Sequence, residues 1–235
     1  MIKLIRLEWK KNYISKYIRN AIITAAVLCL FMFAQNFLGI ARDPDSGVPD
    51  TAPGYNSTAM PIELFCGSVF LVFTGVMLSS FIVSSYKNKT MNLMFCYPIK
   101  RQKVILAQML AVWIFNIIAL VLTKLCVYGL TMIASQFMTS DFPIDFNMAS
   151  PDFYLKLILK AVVTVSVSFN ALFVGLRLKS SKATIIVSFL LVFLLQGRIG
   201  DLSLSNNGTF PIILMAVSLL CVILSLLDVE RKDLM

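Results

Sequence analysis

From Ala21 to Ile40 the chain runs for twenty residues without a charged side chain, and comparably apolar stretches return five more times before residue 227. A helix needs about 20 mostly apolar residues to cross the roughly 30 Å hydrocarbon layer of a bilayer. In that layer the backbone has to satisfy its hydrogen bonds within helices or within a closed barrel. Barrel strands are short and alternate in polarity every second residue, and these runs do neither. An all-α integral membrane protein is therefore the expected fold class. Composition agrees: 14% of residues are charged, 58% are apolar and the mean hydropathy is +0.83. An average soluble domain carries roughly 25% charged residues and uses them to cover its surface.

Six spans are expected within a single domain 1–235, at 21–40, 62–85, 104–138, 153–176, 183–196 and 210–227, followed by a tail at 228–235. The third run decides the parity of everything after it. It is about 52 Å long as a helix, so it reads either as one overlong span or as two with a tight turn. The positive-inside rule arbitrates. Counted as one span, it places on one side the six Lys/Arg before the first span, the five in 87–103, the three in 177–182 and the two in the tail, out of 21 in all. Asp43, Asp45, Asp50, Glu63, Asp141, Asp145, Asp152 and Asp201 gather toward the other side. Both termini are then cytoplasmic, and the net charge of +9 follows membrane topology rather than marking a nucleic-acid surface.

No catalytic constellation and no metal site are expected. Histidine, the commonest metal ligand and general base, is absent. The five cysteines are an odd number with no CxxC pair, so neither a disulfide framework nor a zinc site is implied. The ten glycines include no GxxxxGK[ST], so the chain has no P-loop for ATP phosphates. Lys124 is the one candidate for a functional charge at membrane depth, weighed against snorkelling of its long stem, which is the preferred reading. Lys156 and Lys160, four residues apart near an outer end, are read as snorkelling too, with attraction of anionic lipid or cargo as the alternative.

Two segments outside the spans are amphipathic. Residues 1–20 alternate Ile2, Leu4, Ile5, Trp9 and Tyr13 with Lys3, Arg6, Glu8, Lys10 and Lys11. That pattern suits a helix lying in the membrane interface, and the alternative is a basic flank to the first span. Residues 86–103 are too apolar for a solvated loop, since Met91, Leu93, Met94, Phe95 and Tyr97 cluster before Pro98 and Lys100-Arg101. Thr90 or Asn88 is placed to cap a short helix over 88–98 that Pro98 ends. Its Met/Phe face suits a partner groove or the membrane surface.

Leu7-Glu8-Trp9-Lys10-Lys11, Lys89-Thr90 through Leu93, Tyr97-Pro98-Ile99-Lys100-Arg101 and Val104-Ile105-Leu106-Ala107-Gln108 resemble the permease subunits of ABC-2 type transporters. Tyr86-Lys87 and Lys89 depart from that family, which often carries an acidic residue and a glycine there. The resemblance implies an interfacial elbow helix containing Glu8, Trp9, Lys10 and Lys11. It also implies a coupling helix that docks on a separate ATPase through Thr90, Met91, Leu93, Met94, Phe95, Tyr97, Pro98, Lys100 and Arg101. The chain itself would bind no cofactor, with ATP and Mg held by two partner ATPase subunits. A second permease copy, identical or closely similar, would complete a dimer in the lipid bilayer. The compact size is similar to Gram-positive cell-membrane permeases that export, or give immunity to, peptide toxins and antimicrobial peptides. By the same resemblance the second and fifth spans would line the dimer cavity, with Phe70, Phe73, Met77, Phe81, Phe189 and Phe193 as the aromatic wall for an amphipathic cargo. Two other functional classes remain: a secondary transporter or channel, and a non-transporting membrane anchor for a soluble partner.

Overall fold

A computed structural model describes residues 2–37, 59–83, 101–137, 146–178, 180–196 and 209–231. Seven α-helices occupy them, and no strand occurs among the described residues: α1 (Ile2–Lys11), α2 (Ile14–Phe37), α3 (Ala59–Leu78), α4 (Arg101–Phe137), α5 (Pro151–Arg177), α6 (Ser181–Gln196) and α7 (Thr209–Arg231). A π-helical turn, Ser79–Val83, continues α3. Four helical stretches, Ile14–Gln35, Ala59–Val83, Lys103–Gln136 and Pro151–Arg177, are long and apolar enough to cross a membrane. Shorter apolar helices occupy Ser181–Leu195 and Met215–Ser225.

The long third run is one helix. α4 extends for 37 residues, or about 55 Å at 1.5 Å per residue, and no Gly or Pro pair interrupts its ladder. By contrast, the amino-terminal segment expected as one amphipathic helix over 1–20 is divided. α1 ends at Lys11, and Tyr13 adopts φ 50°, in the left-handed region that non-glycine residues seldom occupy. Residues 14–20 belong to the long helix α2. The break is held locally: the Asn12 N–H donates to Glu8 O at 3.1 Å, and the Lys16 N–H donates to Tyr13 O at 3.0 Å.

α5 begins where the sequence permits a start. Pro151 occupies the first turn, where no intrahelical donor is needed, behind Ser150, whose N–H and hydroxyl both donate to Asn147 O. The turn from α5 to α6 is tight, with the Leu178 N–H donating to Val174 O at 3.0 Å and the Ser180 N–H to Gly175 O at 3.2 Å.

Packing centres on α3, α4 and α5. One core joins Cys66 and Phe70 of α3 to Leu120, Val127 and Tyr128 of α4 and to Leu157 and Ala161 of α5. A second joins Met77, Leu78, Phe81 and Ile82 to Ile105, Met109 and Val112, with Leu172 from α5. α6 lies between α3 and α5, where Thr184 and Ser188, both fully buried, face glycines. A methyl group at Gly175 would overlap the Thr184 hydroxyl, and one at Gly75 would overlap the Ser188 hydroxyl. Small residues that let backbones approach are how helices associate in lipid, where no hydrophobic drive distinguishes a neighbouring helix from an acyl chain. Outside these contacts the helices present apolar side chains outward. On α2 these include Ile22, Val27 and Leu30, and on α6 Ile186, Phe189, Leu190 and Phe193.

Candidate functional site

A charged cluster joins the three central helices, and α3 supplies its carboxylate. Glu63 is the fifth residue of that helix, about 6 Å from its start at helical rise. The Lys124 ammonium of α4 donates to Glu63 Oε2 at 3.0 Å. Lys160 Nζ of α5 approaches the same oxygen at 3.4 Å. The Tyr128 hydroxyl, one turn along α4 from Lys124, donates to Glu63 Oε1 at 3.4 Å. Tyr128 is fixed by edge contacts with Phe146 and Phe153, whose ring centroids lie 4.8 and 5.1 Å away.

This geometry corrects the snorkelling expectation for Lys124. Its side chain is 1% exposed and turned into the bundle, while that of Glu63 is 22% exposed. Nor is Lys160 only a snorkelling lysine, because it closes the cluster from the opposite helix. In the sequence Glu63 stands only among the acidic residues of the outer side: it sits at the edge of an apolar run, 61 residues from Lys124, and neither periodicity nor spacing links the two. The one available signal was a lone carboxylate and a lone lysine, each in an otherwise apolar run.

The amino-terminal helix is likewise packed against protein. Glu8 is 3% exposed and is met by Asn12 Nδ2 at 3.3 Å and Lys11 Nζ at 3.8 Å. Trp9 Nε1 donates to Ala111 O at 3.1 Å. Ile5 and Leu4 rest on Ala107, Leu110, Ala111 and Ile114, and the two alanines allow the close approach. Trp9 is thus tied to α4 by a hydrogen bond, while Lys10 is exposed. Since an ordinary hydrogen bond contributes about 1 kcal/mol net, Trp9→Phe is expected to lower stability by roughly that amount in a denaturant titration, with helical content unchanged.

The expected coupling residues Thr90, Met91, Leu93, Met94, Phe95, Tyr97, Pro98 and Lys100 lie outside the described residues, and Arg101 is the first residue of α4. Of the aromatic-wall candidates, Phe70, Met77 and Phe81 are at most 1% exposed and belong to the two cores. Phe73 packs against both cores. Phe189 and Phe193 stand outward at 57% and 66% exposure, in a T-shaped pair with centroids 5.4 Å apart. The six therefore share no surface within one chain. On α3 the helical period turns Phe70, Met77 and Phe81 toward α4 and α5, whereas α6 keeps its polar Thr184 and Ser188 inward and its rings out. Between α4 and α5, Ser166 accepts a hydrogen bond from Trp113 Nε1 at 3.2 Å.

No family model matches the chain. No solved structure matches it either. A Bacillus subtilis (strain 168) protein named "Uncharacterized protein YcbO" is 26% identical over 236 residues, a match that covers 99% of this chain and 100% of that protein.

Proposed function

We propose that this chain is the membrane-spanning subunit of an ATP-driven exporter of the ABC-2 type. In this reading six spans cross the cell membrane of a Gram-positive bacterium with both termini inside. Two separate ATPase subunits bind ATP and Mg, and a second permease copy completes the pathway. The cargo is amphipathic or hydrophobic, in the class of peptide toxins and antimicrobial peptides.

The observation that carries the proposal is the break between α1 and α2 and the seating of α1 on α4. α1 is a short amphipathic helix, broken from α2 at Asn12–Tyr13 and fastened to α4 through Trp9 and Ala111. Segment 86–100 leads directly into the same end of α4. Force delivered to that segment would reach a 37-residue helix that packs on α1, α2, α3 and α5. In an ATP-driven transporter, a chain without a P-loop receives its work by such contact.

Purified alone, the chain is expected to show no ATP hydrolysis, and the turnover of a partner ATPase should respond to cargo only in its presence. Met94→Asp with Phe95→Asp is expected to weaken ATPase association roughly 30-fold, on the basis of about 2 kcal/mol for an interfacial anchor. Unchanged association and transport would remove the coupling argument.

The Glu63–Lys124 pair favours one other reading, an ion-coupled secondary transporter, because ionisable side chains inside spans commonly mark ion pathways. Under that reading transport continues without ATP and stops in Glu63→Gln.

A further inference from the structure

The cluster carries more positive than negative charge. Glu63 is shared by two ammonium groups, Lys124 and Lys160, and Tyr128 adds a donor without charge. Lys124 is enclosed, so the excess positive charge lies on the open side at Lys160, whose side chain is 53% exposed. One turn nearer the start of α5, Lys156 is exposed and has no ion-pair partner among the described residues. Beside these lysines on the helix surface Leu155 and Leu159 are 61% and 55% exposed. Helical side chains lean toward the amino-terminal end, so both lysines aim at the end of the bundle where α3 and α5 begin.

We propose that this corner of α5 binds an anionic phospholipid, with the phosphate between Lys156 and Lys160 and an acyl chain along Leu155 and Leu159. An excess cation next to apolar surroundings is costly unless an anion neutralises it. A free phosphate would supply the charge but leave the leucines uncovered. A zwitterionic lipid would cover the leucines but bring its own cation. An anionic lipid satisfies both demands. The proposal does not rest on ATP coupling and requires only that this end of the bundle meets a lipid leaflet.

Each lysine near a lipid surface contributes on the order of fivefold in binding, so a preference of about 30-fold for phosphatidylglycerol over phosphatidylcholine is expected. The test is lipid binding to the full chain in detergent, measured by native mass spectrometry with each lipid and with inorganic phosphate as competitor. Lys156→Gln with Lys160→Gln should abolish the preference, and Lys156→Arg with Lys160→Arg should retain it. Should the double Gln variant fail to fold, Lys156→Gln alone carries the test, with a loss of about fivefold. Equal binding of the two lipids by the unaltered chain, a preference that survives in the folded Gln variants, or competition by inorganic phosphate as effective as by the lipid would overturn the proposal.

Discussion

Glu63→Ala is expected to lower the stability of the purified chain by about 3–5 kcal/mol, the range found when one partner of a buried ion pair is removed and the other is left uncompensated. The size of the effect comes from Lys124. Its side chain is 1% exposed and its ammonium has the carboxylate of Glu63 as its acceptor at 3.0 Å. Lys160 loses little, since its half-exposed head can turn outward. Tyr128 loses the acceptor of its hydroxyl. Because removing both charges can be neutral or stabilising, Glu63→Leu combined with Lys124→Met should recover most of the loss in a thermal or denaturant melt. If the two single losses simply add in the double variant, the pair is not energetically coupled. The same double variant also separates the functional readings: a structural cluster leaves transport intact, whereas an ion-coupled carrier loses it.

Gly75→Ala is expected to cost about 3 kcal/mol, the upper end of the range for overfilling a packed interior. The new methyl would overlap the Ser188 hydroxyl and stand 2.6 Å from Ser188 Cβ. Rotation of Ser188 moves its hydroxyl but leaves its Cβ in place, so α6 has to move away from α3. Displacing α6 also disturbs the bond from the Ser79 hydroxyl to Ser181 O. Ser188→Gly in the same chain removes the obstructing Cβ and should restore stability to within about 1 kcal/mol, allowing for the helix propensity of glycine. At Gly175 the nearest atoms are the Thr184 hydroxyl, then Cβ at 3.0 Å and Cγ2 at 3.4 Å. Gly175→Ala should therefore be milder than Gly75→Ala under the same assay. The reverse order would mean that α6 is held by α5 rather than by α3.

The helices were legible because lipid imposes a length and a polarity that can be read along the chain. The uncharged run after Asn20 gave α2, and the run from Val104 gave α4 as one helix rather than two, once the positions of Arg177, Lys179 and Lys182 were weighed. The amino-terminal segment was legible as an amphipathic pattern but not as two helices with a break between them. Asn12–Tyr13 contains neither Gly nor Pro, and the positive φ of Tyr13 is stabilised by hydrogen bonds that appear only when the turn forms. Lys124 failed as a sequence inference for a different reason. A lysine in an apolar run reads alone as a snorkelling side chain, and only the packing of α3 on α4 brings Glu63 to it. Ile5 and Trp9 likewise read as part of a polar-apolar interface pattern, whereas Ala107 and Ala111 create the shallow surface on α4 that receives them. One-dimensional periodicity carries which face of a helix is apolar. It does not carry which other helix that face meets.

ATP hydrolysis and cargo movement, measured together in vesicles containing the chain and any P-loop ATPase recovered with it by pull-down, test the proposed ATP coupling most directly. Transport that requires ATP, and ATPase turnover that rises with cargo only when this chain is present, are the predicted results. Cargo movement that persists without nucleotide, follows an imposed ion gradient and disappears in Glu63→Gln would contradict the account.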